Sequence, residues 1–221
     1  EKSTFCIKQF QNWYFNAGTP YVSVKQSWDS NNSILNVYFE QRLNNGIDNE
    51  NIEMVIPILY SCYSSQKDKK VIVENNLFVL DTKKKNLQIK FLENESKPPV
   101  LSVFRGFSSP VVWESDLSID DYLFLFLNDN DYFTRWNSSQ FLMRKIIKCR
   151  IEDQLDFNLE KKFNNSIKQS IKNLESKDLS LLSKLITSPG LSEIETLFEK
   201  VNPISIYKEC INFQVSIGVN L

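Results

Sequence analysis

The chain has 221 residues, 42% hydrophobic and 24% charged, with 26 basic against 27 acidic side chains. That is enough for one large or two ordinary domains with a real core, and a net charge of -1 supplies no field for holding nucleic acid. Histidine is absent, which excludes Ser-His-Asp and Cys-His catalysis and every zinc or haem site that needs an imidazole.

The opening "EKSTFCIKQF" lacks the basic segment and long apolar stretch of a secretory signal. No apolar run approaches the roughly 20 residues of a membrane helix. Cysteines 6, 62, 149 and 210 are far apart, with no C-x-x-C spacing. The expectation is a cytoplasmic protein with reduced, mostly buried thiols, no membrane and no nucleic acid as partners.

From about Thr19 to Asp116 the apolar pattern has period two. In "ILNVYFEQ", Leu35, Val37 and Phe39 face one way, while Asn36, Tyr38 and Glu40 face the other. In "LQIKFL", Leu87, Ile89 and Phe91 alternate with Gln88 and Lys90. Further short runs are "YVSVKQS", "EMVIPILY", "NLFVL", "VLSVFR" and "PVVWES", separated by turn signals such as "DSNNS", "DTKKKN" and "NESKPP". About seven antiparallel strands with half-polar faces predict a β-sandwich with two packed sheets. Pro57 predicts an edge strand or a bulge, because proline cannot donate to a ladder.

After Leu117 the period becomes about 3.6, which predicts an all-α segment. Ser118 and the acids after it open a helix over "SIDDYLFLFLND". The next segment, "LNDNDYFTRWNSSQ", is dense in oxygen ligands, but a calcium loop counted from Asp129 meets Phe133 at position five, Thr134 at six and Gln140 at twelve. A helix capped by Asp131 and running from Tyr132 to Lys148 fits better, with Phe133, Trp136, Gln140, Met143 and Ile147 on one face and Trp136 in the core. Phe163, Ile167, Ile171 and Leu174 form a second stripe. "DLSLLSKLITSPG" stops at Pro189-Gly190, Ser192 and Glu195 have capping-box spacing, and Asn202-Pro203 opens a last helix.

Residues that invite chemistry have plainer roles. Glu114, Asp116, Asp120 and Asp121 read as a strand end and a helix start rather than an acid-base pair. Lys83, Lys84 and Lys85 read as a solvated hairpin tip. Arg105 reads as structural, ion-paired at the junction of sandwich and helices. Trp13, Trp28, Trp113 and Trp136 read as packing.

"DNDYFTRWNSSQ" resembles the D-x-F-x-R-W-x-x-x-Q stretch of the zinc aminopeptidase N family, the alanyl aminopeptidases of the bacterial and apicomplexan type. "FQNWYFNAGTPYVSV" is similar to the family's F-x-x-W-x-x-x-x-G-T-P helix exit through Phe10, Trp13, Gly18, Thr19 and Pro20. "VYFEQRL" resembles the following strand. "SVFRGFSSPVVWE" is similar to L-R-G-F-S-A-P-V through Arg105, Gly106, Phe107, Ser108 and Pro110. "LITSPGLSEIETLFEKVNPISIY" resembles the helix pair in which a Leu-x-x-Pro stop leads to a Pro-Ile-x-Ile start.

The resemblance implies residues 1–17 as the end of a catalytic domain, 18–116 as the Ig-like sandwich, and 117–221 as the first helices of a helical C-terminal domain. It implies a parent enzyme that removes N-terminal residues from peptides using zinc held by H-E-x-x-H and a later Glu. Neither that motif nor the family's G-A-M-E-N-type loop occurs here, so no catalytic, metal-binding or substrate-binding residue is assigned and no cofactor is expected in this segment. The implied role is non-catalytic: packing on the catalytic domain and the remaining helices, and helping to enclose the substrate chamber. The alternative is a stand-alone protein-interaction module. If the helical half normally packs on further helices, an apolar face around "INFQVSIGVNL" should lie exposed or be buried in a dimer.

Overall fold

The computed structural model describes residues 7–44, 52–64, 71–91, 97–154, 156–173, 179–200 and 202–220. The chain divides into two compact units between Leu117 and Ser118.

Two short helical turns, α1 (Ile7–Phe10) and α2 (Asn12–Phe15), begin the first unit. The described strands are β1 (Thr19–Asp29), β2 (Ile34–Asn44), β3 (Ile56–Tyr63), β4 (Val71–Leu80), β5 (Lys84–Lys90), β6 (Val100–Val103) and β7 (Val112–Ser115). They form a four-stranded sheet in the order β5-β2-β1-β7 and a three-stranded sheet in the order β4-β3-β6. Period-two patterning sets the faces: Val22, Val24, Leu35, Val37, Phe39 and Ile89 point into one core with Ile56, Ile58, Cys62 and Leu101. The pairs are antiparallel except β1 with β7, which run parallel from Tyr21↔Val112 to Val24↔Ser115.

Local chemistry adjusts three expectations. The run "EMVIPILY" enters its ladder late because the Gln41 side chain takes the backbone of Met54: Met54 N donates to Gln41 Oε1 at 2.8 Å, and Gln41 Nε2 donates back to Met54 O at 2.9 Å. Pro57 is on neither an edge strand nor a bulge. β3 is the central strand of its sheet, and its register shifts lie between Tyr60 and Tyr63. Pro57 is tolerated because its missing N–H falls on the side away from β4, beyond the end of β6. There Ser109 Oγ donates to Pro57 O at 2.6 Å, and Leu59 N donates to Ser108 Oγ at 3.1 Å. The segment "DTKKKN" is not a hairpin tip but a crossover between sheets, since β4 and β5 belong to different ones. Only Lys83 sits in the turn; Lys84 pairs with Glu40 at 3.1 Å and Lys85 with Asp81 at 2.6 Å.

The second unit is helical: α3 (Ile119–Asn128), α4 (Tyr132–Ile151), α5 (Phe157–Asn173), α6 (Leu179–Ile186), α7 (Leu191–Glu195) and α8 (Pro203–Asn220). Its core holds Phe126, Leu142, Met143, Ile147, Phe163, Ile167, Leu185, Ile194 and Phe213. Phe163 ties three helices together, with ring centroids 5.6 Å from Phe126 on α3 and 6.3 Å from Phe213 on α8.

Several helix boundaries follow their caps. Ser118 and Asp121 form a full capping box at α3. Asp131 caps α4 by accepting from Thr134 N at 2.8 Å, and Asn202 Oδ1 accepts from Ile204 N at 3.0 Å ahead of Pro203. The expected box of Ser192 and Glu195 does not form. The N-cap of α7 is Gly190, which puts Ser192 inside the first turn.

Two predicted stripes are displaced. Trp136 is 38% exposed rather than core, because α4 packs on α3, α5, α6, α7 and α8. Its buried positions therefore spread over Ser138, Ser139, Gln140, Leu142, Met143, Ile146 and Ile147 instead of one line. On α5 the buried set is Leu159, Phe163, Asn164, Ser166, Ile167 and Ser170, which leaves Ile171 37% exposed. Leu174 lies outside the described residues.

Candidate functional site

The four acids singled out in the sequence each have partners within their own unit. Asp116 Oδ2 accepts from Gln26 N at 2.9 Å, fastening the end of β7 to β1. Glu114 lies beside Tyr21; burial first, then the hydrogen bond to Glu114, pushes the Tyr21 hydroxyl up to about 12. In the helical unit, Asp121 Oδ2 is spent on Ser118, and Asp120 accepts from Lys162 Nζ at 2.7 Å. Among the described residues, no group of three or more Cys, Asp or Glu side chains is placed to hold a metal, so these residues do not fit a zinc site.

Arg105 is buried within the sandwich unit. Its Nε donates to Asn75 Oδ1 at 2.9 Å, and Nη1 reaches Tyr63 Oη and Ser102 Oγ at 3.2 Å each. Reaching them requires unusual backbone: Asn75, Phe104, Gly106 and Phe107 have φ of 47°, 56°, 59° and 55°. Left-handed geometry suits Gly106 but is disfavoured for the two phenylalanines. Burying the Phe104 ring against Trp113, 4.8 Å away, compensates at one of them.

The segment 127–140 is a joint between helices. Asp129 Oδ1 accepts from Asp131 N at 2.7 Å, and Asp131 Oδ2 takes both Thr134 N and Thr134 Oγ1. Gln140, the residue at the twelfth position of a calcium loop, instead donates to Thr187 O at 3.0 Å. Of the tryptophans, Trp13, Trp28 and Trp113 pack on the sandwich core, and Trp13 Nε1 donates to Val55 O at 2.9 Å. Cys62, Cys149 and Cys210 are free thiols. Burial pushes Cys62 up to about 12 and raises Cys210, so neither is poised as a nucleophile. Cys6 lies outside the described residues.

Sequence reasoning missed the polar cluster of the helical unit. Arg150 on α4 holds both carboxylate oxygens of Glu160 on α5, and Glu209 on α8 lies 3.8 Å from the same guanidinium. Ser216 Oγ donates to Glu160 Oε1 at 2.7 Å. The four residues come from three helices, so no local spacing marks them. Two apolar surfaces are also present. In the first unit Ile7, Phe10, Tyr14 and Phe15 are exposed on α1 and α2. On α8, Ile204, Tyr207, Ile211, Val215 and Val219 form an exposed line at helical spacing, with Ile204 74% and Val219 81% exposed.

Comparison with known proteins agrees with this architecture. Residues 18–116 match the domain of unknown function DUF3458, described as an Ig-like fold, and residues 119–221 match DUF3458_C, described as ARM repeats. The aminopeptidase N of Caulobacter vibrioides is 24% identical over 215 residues, covering 97% of this chain and 24% of that protein. The aminopeptidase N of Escherichia coli is 25% identical over 218 residues, covering 93% and 24%. The chain thus spans about a quarter of the length of the curated relatives it matches. A crystal structure of Legionella pneumophila aminopeptidase A in complex with aspartic acid shares the fold, with a TM-score of 0.75 at 20% identity over 96% of this chain and 23% of that one. Two family domains in order, together spanning nearly every residue, make the chain a DUF3458 Ig-like domain followed by DUF3458_C ARM repeats, similar over that length to part of aminopeptidase N.

Proposed function

We propose that this chain is a non-catalytic scaffold within a zinc-dependent aminopeptidase that removes N-terminal residues from peptides in the cytoplasm. The observation that carries the reading is the match to aminopeptidase N over 97% of this chain and 24% of the relative, in a chain without histidine. Zinc in the complete enzyme is then held by residues outside this chain, and no step of peptide hydrolysis belongs to it.

The proposed work is packing. Residues 1–17 act as the end of the catalytic domain, docked on the sandwich at 18–116 ahead of the helices at 117–221. Supporting this, Asn12 Nδ2 donates to Glu53 O and Trp13 Nε1 to Val55 O, each at 2.9 Å, while Ile7, Phe10, Tyr14 and Phe15 point away into solvent. That outer surface is the one we assign to the catalytic domain. The apolar line on α8 is assigned to further helices of the same array, which is the way ARM-type repeats bury their flanks. Together the two contacts help to enclose the substrate chamber.

Reading the coding sequence ahead of Glu1 tests this assignment. An H-E-x-x-H motif is expected there. An intact reading frame that starts near Glu1 would instead favour a stand-alone interaction module.

A further inference from the structure

The two sheets of the sandwich carry different residues on their outer faces. On the four-stranded sheet the outward positions hold Lys25, Asn36, Glu40, Lys84 and Gln88 around Tyr38, tied by the Lys84–Glu40 ion pair and by Gln88 Nε2 donating to Asn36 Oδ1 at 2.9 Å. That is the polar dressing of a sheet with one wet face. On the three-stranded sheet β3 and β4 turn Pro57, Leu59, Leu77 and Val79 outward, opposed as Pro57↔Val79 and Leu59↔Leu77. Strand geometry sets these four apolar side chains about 7 Å apart along the strands and about 5 Å across them. Leu77 is 61% exposed, and the core takes Ile56, Ile58, Phe78 and Leu80 from the same strands instead of these four.

Two sets of contacts decide from which side this patch can be approached. β4 is an edge strand, and a bare apolar edge is a template for another strand. Here Lys85 Nζ donates to Val79 O at 2.9 Å and lies 5.6 Å from the centroid of the Phe78 ring, so the edge beside the patch is closed and its face is left. The other contacts are at the rim. Val55 and Asp81 come two residues beyond Pro57 and Val79. Trp13 Nε1 donates to Val55 O at 2.9 Å, and Gln9 Nε2 donates to Asp81 O. α1 and α2 therefore sit at the end of the same strand pair, and their exposed Ile7, Tyr14 and Phe15 carry apolar surface past that end.

We infer that the outer face of β3 and β4 is a seat for the catalytic domain, continuous with the outer surface of α1 and α2. The inference rests on the reading above, in which α1 and α2 end that domain, and goes beyond it by assigning a second contact, borne by the sheet. The contacts select the occupant. A second copy or a peptide that added a strand to β4 would have to displace Lys85 from Val79 O, whereas a domain already fastened at Val55 and Asp81 meets the face without crossing the edge. This chain spans 24% of the aminopeptidase N it matches, so a polypeptide of that kind has a large body to lay there. Covering Leu59 and Leu77 removes apolar surface from water, which drives the packing.

Thiol accessibility in the complete polypeptide tests it, with Leu77→Cys, Tyr14→Cys and Lys25→Cys made singly. Alkylation by iodoacetamide at the substituted position is followed by mass spectrometry, and each rate is divided by that of the same variant in urea. All three positions are exposed in this structure, so a difference between them reports cover from outside these 221 residues. Leu77→Cys and Tyr14→Cys are expected to label at least about tenfold more slowly than Lys25→Cys. Protection at 14 with none at 77 would overturn the inference and leave the aminopeptidase reading standing. Protection at neither would overturn both, and protection at 77 alone would give the face to a different partner and overturn the inference. As a second variant at the same position, Leu77→Lys is expected to lower the melting temperature of the complete polypeptide relative to Lys25→Glu. Equal melting temperatures would count against the seat.

Discussion

Arg150 on α4 grips Glu160 on α5 through two guanidinium nitrogens, and this one ion pair joins three helices because Glu209 of α8 faces the same guanidinium. Removing one member of such a largely buried pair leaves the other charge uncompensated, at a cost of about 3 kcal/mol. Glu160→Ala should therefore lower the urea stability of the chain by about that amount. The double variant R150M/E160L, which removes both charges and keeps apolar volume, should recover most of the loss. A single variant within about 0.5 kcal/mol of the parent would mean that the pair does not hold the helices.

Arg105 offers a second test of buried polar structure. Its guanidinium is the donor for Asn75 Oδ1 and lies beside Tyr63 Oη and Ser102 Oγ. Arg105→Met keeps much of the volume but withdraws the donors, and each buried group left unsatisfied costs about 1–3 kcal/mol. Denaturant titration should show a loss of about 2–4 kcal/mol, with the strained corner at Phe104–Phe107 the first segment to lose amide-exchange protection. Unchanged stability would reassign Arg105 from scaffold to an external contact.

These two clusters mark how far the sequence alone could be read. The strand faces of β2 and β5 were legible because a half-buried strand writes its burial as alternation, and Leu35, Val37, Phe39 and Ile89 sit where that pattern puts them. Caps at Ser118, Asp131 and Asn202 were legible because capping is local chemistry. The sheet crossover at "DTKKKN", the central place of Pro57 and the exposure of Trp136 were not. Each depends on which distant element lies alongside, and neither hairpin rules nor one helical stripe encodes that. The Arg150 cluster was hidden for the same reason, its members spread from residue 150 to residue 216.

Cys62 gives the chain a stability that depends on alkaline pH. Burial raises its folded pKa to about 12, above the ordinary 9.0. The folded chain then holds the proton more tightly than the unfolded chain between those values. Its contribution is complete below about pH 9 and is lost as pH rises toward 12, at up to about 1.4 kcal/mol per pH unit. Cys62→Val should flatten the fall in stability over that window relative to the parent, as read by urea titration at successive pH values. The native thiol should also resist a disulfide exchange reagent at pH 8. Rapid labelling there would contradict its burial.

The line of Ile204, Tyr207, Ile211, Val215 and Val219 on α8 should make the 221-residue chain self-associate when studied alone. Sedimentation equilibrium should show concentration-dependent association, and the double variant I211K/V215K should abolish it without lowering the melting temperature, since both positions are exposed. A strictly monomeric parent chain at high concentration would mean that this face needs no cover.

The central claim is that this segment scaffolds a zinc aminopeptidase without taking part in its chemistry. It is tested most directly by measuring zinc content and alanyl-anilide hydrolysis on these 221 residues alone and within the complete polypeptide. The account predicts neither zinc nor turnover from the segment, and both from the complete protein. Stoichiometric zinc with turnover in the isolated segment, or a complete protein that has neither, would contradict it.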